Sequence, residues 1–330
     1  MEVTMTDIKK LREMTGAGLA DCKKAIAEAD NLDGAIEIIR KKGQAVAAKR
    51  SDREASEGCV VAKKDGNFAA IIALKCETDF VANNADFVAL TKEILDLAVA
   101  NRCKTLEEVK ALTLGDGTVA DAVVARSGIT GEKMELDGYC TVEAEEIAVY
   151  NHQNKNVLCT LVALNKKVAD EEVGKNLAMQ VASASPVAID EKSVSQETID
   201  TELRVAIEKT KEEQVQKAVE AAIKKAGYNP AHFDSEDHME SNQGKGWITA
   251  DDVVKVKEII ATVSAEKAAS LNETMIQNIA QGRLKKFFKE SCLMAQEYIW
   301  DKNLSVADYL NSVEKGLAVV DFKRFTLRAE

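Results

Sequence analysis

The histidines and cysteines are the residues of this chain best suited to metal binding, nucleophilic attack or acid–base catalysis. His232 and His238 flank three carboxylates, an arrangement that can hold a metal ion, although a solvated acidic loop is the better interpretation. His152 has no serine or cysteine nucleophile placed near it in the sequence, so surface or partner contacts are favoured over catalysis. The seven cysteines form no CxxC pair. They predict neither a zinc site nor a disulfide framework, but small, mostly buried residues in a reducing compartment.

Two further stretches contain residue types that bind phosphates or nucleic acids. The glycines of Thr15–Gly18 precede a helix, as in phosphate-binding loops, but the GK[ST] ending and a preceding strand are missing. Arg283–Lys289 interleaves cations with aromatic residues. An amphipathic helix end that docks its phenylalanines is favoured there over RNA binding. Since the net charge is −11 and no catalytic residue set emerges, the sequence favours an interaction protein over an enzyme.

Asp79 and Phe80 stand in a joint between a strand and a helix, where a phenylalanine is unusual. The apolar run Phe68–Leu74 has strand length, and apolar residues recur at helical spacing over Phe87–Leu95. Thr78 or Asp79 suits the N-cap of a helix that begins between these segments. A bulky aromatic residue there either folds back into the core or points at something else.

The elements around this joint begin with a small helical unit. Residues 1 to about 50 predict three short helices, with Thr6 as the cap of the first and basic residues at the end of the third. A unit of this size has little core, so it is better suited to docking a partner than to performing chemistry. From Gly58 the pattern changes to strands, and Asp65–Asn67 predicts a tight hairpin turn.

The rest of the chain predicts a second set of strands interrupted by a long helical segment. Helical patterns occur at about 83–100, 105–112, 117–127 and 171–184, and strand-like sequence occurs at 132–150 and 157–164. Helices over Glu197–Ala226 and Ala250–Phe288, joined by a polar loop over Gly227–Gly246, predict an antiparallel hairpin. The final strand, Val319–Leu327, lies far from the others in the sequence, so the hairpin is predicted to be inserted into a sheet domain.

Composition sets broad limits on the class of protein. A hydrophobic content of 46% with 30% charged residues is typical of a soluble globular protein with ample core material. Few aromatic residues and only two prolines favour a helix-rich fold. No apolar run reaches the length needed to span a membrane, and the N-terminus has no targeting signal. The sequence therefore predicts a cytoplasmic protein.

Three motifs together resemble the translation elongation factor Ts family. They are Thr15–Ala25 in the helical unit, Cys76–Ala82 in the joint, and Tyr150–His152 between two strands. Their order and spacing also fit that family. The resemblance extends to the final strand and covers nearly the whole chain outside 215–260, where the hairpin looks longer than is usual.

The resemblance implies an α+β fold with four parts. They are a ubiquitin-associated-like domain of three helices, a core of two small antiparallel-sheet α+β subdomains, and an inserted antiparallel helical hairpin. The expected bounds are 1–54 for the helical domain, 55–140 for the first core subdomain, 141–194 with 290–330 for the second, and 195–289 for the coiled-coil hairpin.

The resemblance implies a guanine-nucleotide exchange factor that binds elongation factor Tu in its GDP form. Asp79 and Phe80 would enter the nucleotide domain of that GTPase and disturb its magnesium and phosphate site. No covalent chemistry, cofactor, metal, nucleic acid or membrane is expected to be involved, and the hairpin is available for dimerisation. The alternative is a non-catalytic helical adaptor or a chaperone-like binding module.

The family's contact residues transfer to positions in five separate segments of the chain. Thr78 and Val81 accompany the Asp79–Phe80 pair, and we expect Thr78 to cap the helix, Val81 to pack inward and the pair to point outward. The full set of expected partner contacts is Lys23, Thr78, Asp79, Phe80, Val81, Ser127, Gly128, His152, Ile299 and Trp300.

Overall fold

In a computed structural model of the chain, residues 3–328 are described, apart from the side chain at position 154. They divide into two compact units. Residues 190–296 form one unit, and the residues on either side of that segment form the other. The chain is mixed helix and sheet with small antiparallel sheets, which confirms the predicted α+β class.

Three helices form the N-terminal part of the larger unit: α1 (Met5–Thr15), α2 (Leu19–Glu28) and α3 (Leu32–Lys49). Their apolar residues meet in a small core, of which Leu11, Cys22 and Ile26 are fully buried. Thr4, and not the predicted Thr6, caps α1, because its side chain accepts a hydrogen bond from the backbone N–H of Asp7 at 3.1 Å. Helix α3 ends at Lys49.

The first sheet grows from the predicted hairpin. Strands β1 (Glu57–Asp65) and β2 (Phe68–Cys76) pair antiparallel from Glu57 with Cys76 to Asp65 with Phe68. Gly66, in the turn, has φ +57°, a conformation that glycine adopts without strain. The hairpin prediction is confirmed.

A helical segment returns the chain to this sheet. It contains α4 (Asp79–Ala82), α5 (Ala85–Ala100), α6 (Leu106–Ala111), a two-strand ribbon of β3 (Thr113–Leu114) and β4 (Gly117–Thr118), and α7 (Val119–Thr130). Strand β5 (Glu135–Glu143) then pairs with β2, so the strand order is β1-β2-β5.

Strand β2 is buried on both faces, which explains its nearly unbroken apolar sequence. Phe68, Ile72 and Leu74 contribute to a core shared with α5 and α7. Ala69 and Ile71 point to the opposite face and pack against the second sheet. Because β2 is paired on both edges and packed on both faces, it holds the start of the following joint in place.

The second sheet continues the larger unit. Strands β6 (Glu146–Asn151) and β7 (Leu158–Leu164) pair antiparallel, and α8 (Glu171–Ala184) packs on them. The Thr160 hydroxyl donates to the Ala178 carbonyl at 2.8 Å, which attaches α8 to β7. Helix α8 has the bounds that the sequence predicted, and Pro186 follows its end.

The smaller unit is helical. It contains α9 (Gln196–Lys225), α10 (Glu236–Gly244), α11 (Ala250–Ala269) and α12 (Glu273–Ser291), and α9 packs against both α11 and α12. The prediction of one continuous helix over 250–288 is wrong, because this segment forms the two helices α11 and α12. The chain breaks at 270–272, where Asn272 caps α12 by accepting from the N–H of Met275 at 2.9 Å.

The predicted polar loop over 227–246 is also wrong, because it folds into a helical tip around α10. Phe233, Met239 and Ile248 are buried and pack with Ile223 of α9 and Val256 of α11. These apolar residues are few and widely spaced, so they show no helical periodicity in the sequence. Their packing appears only when the two long helices approach each other.

The chain then returns to the larger unit and completes the second sheet. Strands β8 (Glu297–Tyr298) and β9 (Asp301–Ser305) form a short hairpin, followed by α13 (Val306–Val313) and β10 (Val319–Thr326). Strand β10 pairs antiparallel with β7, giving the order β10-β7-β6. The helical segment is therefore inserted between strands of one sheet, as predicted. Over residues 3–328, no helix is long and apolar enough to cross a membrane.

Candidate functional site

The joint between β2 and α4 presents an exposed aromatic side chain. Thr78 has an extended backbone, and its hydroxyl accepts from the N–H of Val81 at 3.4 Å, which makes it the N-cap of α4. Phe80 is 84% exposed, and Asp79 beside it is also exposed. Val81 packs against the core. The predicted orientations of these four side chains are therefore all found.

A large apolar side chain in this position contributes little to the stability of the free chain. Burying a phenylalanine is worth roughly 1.5–3 kcal/mol. Phe80 forgoes most of that stabilisation, whereas Phe87, one helix further on, is fully buried. Exposed apolar groups held on a firm base are typical of protein–protein contacts.

Glu132 fixes the base of the joint. Its Oε2 accepts hydrogen bonds from the backbone N–H groups of Glu77 and Thr78, both at 3.1 Å. Its Oε1 accepts from the Thr78 hydroxyl at 2.6 Å. A carboxylate that accepts three hydrogen bonds from two adjacent residues leaves those residues little freedom.

Glu77 makes the reciprocal contact. Its Oε1 accepts from the backbone N–H of Lys133 at 2.6 Å, and Arg50 donates to both of its carboxylate oxygens. The pKa of Glu77 is lowered, chiefly by the Lys133 N–H; burial opposes this shift, and the Arg50 guanidinium adds to it. Glu77 is thus held ionised at neutral pH, and it connects the end of α3 to the joint.

Arg126 supports the start of α5, just after the joint. Its Nη2 donates to the Asn84 side-chain oxygen at 2.7 Å and lies 3.4 Å from an oxygen of Asp86. The same Asn84 oxygen accepts from the backbone N–H groups of Asp86 and Phe87, so it caps α5. Helix α7 therefore holds the segment on the far side of Phe80 in place.

Ser127 and Gly128, which were expected to contact a partner, face the interior of the free chain. Ser127 is 1% exposed, and its hydroxyl donates to the Glu132 carbonyl. A Cβ placed on Gly128 would lie 2.5 Å from the Cα of Gly43, because α7 crosses α3 at these two glycines. Both positions serve packing within the chain, and the Ser127 side chain is not available to a partner in this conformation.

Lys23 lies exposed on α2, in the N-terminal part of the larger unit. Met14 and Leu19, on either side of the turn before α2, are each about half exposed. The turn residue Gly16 has φ +66° and caps α1 with a left-handed conformation. The glycines of Thr15–Gly18 therefore serve a helix–turn–helix, as the sequence favoured.

His152 begins a short 3-10 turn between β6 and β7 and is half-buried. Its Nδ1 lies 3.1 Å from the Tyr150 hydroxyl, and the two rings meet edge to face. The same turn reaches the first sheet, because the Asn156 carbonyl accepts from the N–H of Val60 at 2.6 Å. The turn that begins at His152 therefore contacts β1 at Val60, which pairs with Ala73 of β2.

Ile299 and Trp300 form the turn of the hairpin between β8 and β9, where Trp300 is 61% exposed. The buried side chain of Gln180 holds this turn. Its Oε1 accepts from the N–H of Ile299 at 2.8 Å, and its Nε2 donates to the Glu297 carbonyl at 3.2 Å. Trp300 is therefore an exposed aromatic residue on a fixed turn.

The predicted residues do not converge on one pocket. Glu132 brings segment 126–133 and the joint together. His152 lies on the turn between β6 and β7, Lys23 on α2, and Trp300 on the turn between β8 and β9. Among the described residues, no group of three His, Cys, Asp or Glu side chains is arranged to hold a metal ion. The arrangement suits an extended contact with another protein.

Local sequence did not show that Arg50, Glu77, Arg126 and Glu132 support the joint, although Glu77 lies inside the Cys76–Ala82 motif. Their side chains act on the joint across 27 to 56 positions of the chain. A charged residue whose hydrogen-bond partner is this far away in the sequence cannot be recognised from the residues around it. The Gly131–Glu132 pair directly after a helical segment was the nearest available signal, because glycine there ends α7.

Comparison with known proteins identifies similar chains. The family profile described as Elongation factor TS matches residues 77–229 and 242–329. The chain is 68% identical to the elongation factor Ts of Bacteroides thetaiotaomicron over 331 residues, which cover all of both chains. It is 41% identical to that of Porphyromonas gingivalis over 332 residues and 34% identical to that of Azobacteroides pseudotrichonymphae over 331, again over all of each chain.

Proposed function

Because this chain belongs to the elongation factor Ts family and is a translation elongation factor, we propose that it releases GDP from elongation factor Tu with Asp79 and Phe80. The pair enters the nucleotide domain of the GTPase and disturbs the magnesium and phosphate site. The observation that carries the proposal is the exposure of Phe80 on a joint that three buried or half-buried contacts hold in place.

Exchange of this kind follows from thermodynamic linkage. A protein that binds the nucleotide-free GTPase more tightly than its GDP form must weaken GDP binding by the same factor. The wedge lowers GDP affinity by deforming the helices behind the phosphate loop, without touching the nucleotide. Burial of Phe80 in the complex supplies part of the binding free energy that the deformation requires.

A rigid joint makes the wedge effective. Ordering a loop on binding costs about 0.5–1.5 kcal/mol for each immobilised side chain. The hydrogen bonds of Glu132 and the cap of Thr78 order the joint in the free chain, so that cost is met on folding. More of the burial of Phe80 is then available to deform the partner.

The remaining contacts extend the proposed surface. Lys23 meets the partner from the N-terminal helices, His152 meets it from the turn between β6 and β7, and Ile299 and Trp300 reach a further domain of the GTPase. These contacts lie in three of the four parts predicted from the sequence, and the inserted hairpin supplies none of them. This function needs no covalent chemistry, cofactor, nucleic acid or membrane, and it places the protein in the cytoplasm with the translation machinery.

We also propose that the helical hairpin binds a second copy of the chain. A groove of about 610 Å³ between α9 and α11 is lined by Val215, Val219 and Ile260. Its rim carries Lys211 and Glu212, so two copies related by a two-fold axis can pair opposite charges. Light scattering on the full chain should give a dimer mass, and Val219→Glu should give a monomer. A monomeric wild-type chain would contradict this part.

The exchange function is tested by mixing. Purified elongation factor Tu is loaded with a fluorescent GDP analogue and mixed with excess GDP, with and without this chain. We expect the chain to accelerate release of the labelled nucleotide at substoichiometric amounts. Release at the intrinsic rate would reject exchange and favour the adaptor alternative.

A further inference from the structure

We propose that Glu132 is a positioning residue for nucleotide exchange. With Glu77, Thr78 and Lys133 it forms a carboxylate clamp that holds the Asp79–Phe80 wedge in its projecting conformation. This inference rests on the proposed exchange function. It adds that the activity depends on a residue that need not touch the partner.

The clamp lies directly beyond the end of the β2–β5 pairing. The last pair of the β2–β5 ladder is Lys75 with Glu135, so Glu77 and Thr78 lie beyond the backbone pairing. Their N–H groups would otherwise be left to solvent at the point where the chain changes direction. The Oε2 atom of Glu132 accepts both, at 3.1 Å each. The side chain of Glu132 thus continues the strand pairing for two more residues.

The clamp is reciprocal, which defines the register of the two segments. Glu132 accepts from the backbone of Glu77 and Thr78, while Glu77 accepts from the backbone of Lys133 at 2.6 Å. Each segment therefore contributes one carboxylate, which accepts hydrogen bonds from the backbone N–H groups of the other segment. A shift of either segment by one residue would break both sets of hydrogen bonds at once.

The backbone of Glu132 is itself anchored. Its carbonyl accepts from the buried Ser127 hydroxyl, and its N–H donates to the Thr130 hydroxyl at 3.3 Å. Gly131 before it ends α7 in the left-handed conformation, with φ +74°. The clamp therefore transmits the position of α7 to the joint.

The wedge depends on this support because it has little of its own. Helix α4 has four residues, too few to be stable by itself. Phe80 is exposed and so does not fix its own direction by packing. The direction of Asp79 and Phe80 follows from the backbone of Thr78, and Glu132 holds Thr78 by both its N–H and its hydroxyl.

Glu132→Ala tests the clamp, and Glu143→Ala is the matched control. Glu143 lies at the opposite end of β5 and pairs with Lys104. Labelled-GDP release is measured against the concentration of each variant. Because misplacement of a group by about 1 Å commonly costs 10- to 100-fold in rate, we expect Glu132→Ala to lower the saturating rate about tenfold. The half-saturating concentration should change less than about threefold, since the other contacts remain. Glu143→Ala should match the wild type.

Combination with Phe80→Ala shows whether Glu132 acts through the wedge. If it does, Glu132→Ala causes no further loss of rate in a chain that already lacks the Phe80 ring, a non-additivity characteristic of coupled residues. Glu132→Gln should restore most of the rate, because its carbonyl oxygen can accept the two N–H groups and its amide can donate to the Thr78 hydroxyl.

The outcomes separate this inference from the function on which it rests. If Phe80→Ala exchanges like the wild type, the wedge is wrong. If Phe80→Ala is slow but Glu132→Ala matches the wild type, or its loss adds fully to that of Phe80→Ala, the wedge stands and the clamp is rejected. Should Glu132→Ala fail to fold, Thr78→Val decides; it removes the hydroxyl contact with Glu132 and, with it, the cap of α4 at the Val81 N–H. A rate within about twofold of wild type then overturns the proposal.

Discussion

Nη1 of Arg50 lies 2.8 Å and 2.9 Å from the two carboxylate oxygens of Glu77. Arg50 follows the last residue of α3, and Glu77 immediately precedes the cap of α4. A single ion pair therefore connects the end of the N-terminal helices to the base of the proposed wedge. Together with the crossing of α3 and α7 at Gly43 and Gly128, it joins these helices to the first sheet.

The Glu77 contacts predict a pH dependence of stability. The Lys133 N–H and the Arg50 guanidinium lower the folded-state pKa of Glu77 below its unfolded value. The contribution of Glu77 to the free energy of unfolding is therefore complete above the unfolded-state pKa. It is lost as the pH falls through the lower folded-state pKa. In urea unfolding between about pH 3 and 7, Glu77→Gln should be less stable at neutral pH, by about 1 kcal/mol, with a flatter acid dependence. Parallel curves for the two proteins would contradict this prediction.

Phe80→Ala should impair exchange without disturbing the fold. Phe80 is exposed, so its truncation leaves no cavity, and the thermal midpoint should stay within about 2 °C of wild type. Loss of a central interface residue costs about 2 kcal/mol or more, so stimulated GDP release should slow by about 30-fold or more at subsaturating concentrations. Trp247→Ala is the control, because Trp247 is also exposed but lies in the tip of the smaller unit. Equal losses in both variants would show that the effect is not specific to the joint.

Gly128→Ala should destabilise the packing of α7 on α3. The new methyl group would lie 2.5 Å from the Cα of Gly43, and neither backbone can move without separating the helices. Overpacking of this kind costs about 1–3 kcal/mol, measured as a lower midpoint of denaturant unfolding. Gly282→Ala is the matched helical control, because nothing lies within 4 Å of its Cβ. That variant should be unchanged or stabilised by up to about 1 kcal/mol.

The cysteines should resist modification in the folded chain. Burial raises the pKa of Cys59 to about 11 and that of Cys76 to about 12, and it also raises the pKa of Cys159. At about pH 8 a thiol-specific disulfide reagent should react slowly with the native protein and rapidly with all seven thiols in guanidinium. Cys140, which is only half-buried, should react first. Rapid native reaction at Cys59 or Cys159 would contradict the two-sheet core.

Much of the fold follows from local sequence. The turn of the β1–β2 hairpin, the bounds of α8 and the cap at Thr78 depend on residues within a few positions of each other. The insertion of the hairpin into a sheet domain could be predicted because one strand-like stretch, Val319–Leu327, follows it in the sequence. The helical tip was missed because Phe233, Met239 and Ile248 gain their partners only from α9 and α11. The break in the return helix was missed because Asn272 resembles any polar surface residue until it caps α12.

By itself, the sequence determined that Phe80 stands at a capped joint between a strand and a helix. It also indicated the family, through three motifs that are each a short continuous stretch of the chain. The tertiary structure alone decided what holds that joint. Glu132 reaches Thr78 across 54 positions, and Lys133 reaches Glu77 across 56. It also decided that Ser127 is buried and that Gly128 packs against Gly43 where α7 crosses α3. Local propensity determines caps and turns, whereas contacts of this range exist only after β2, α7 and α3 have packed together.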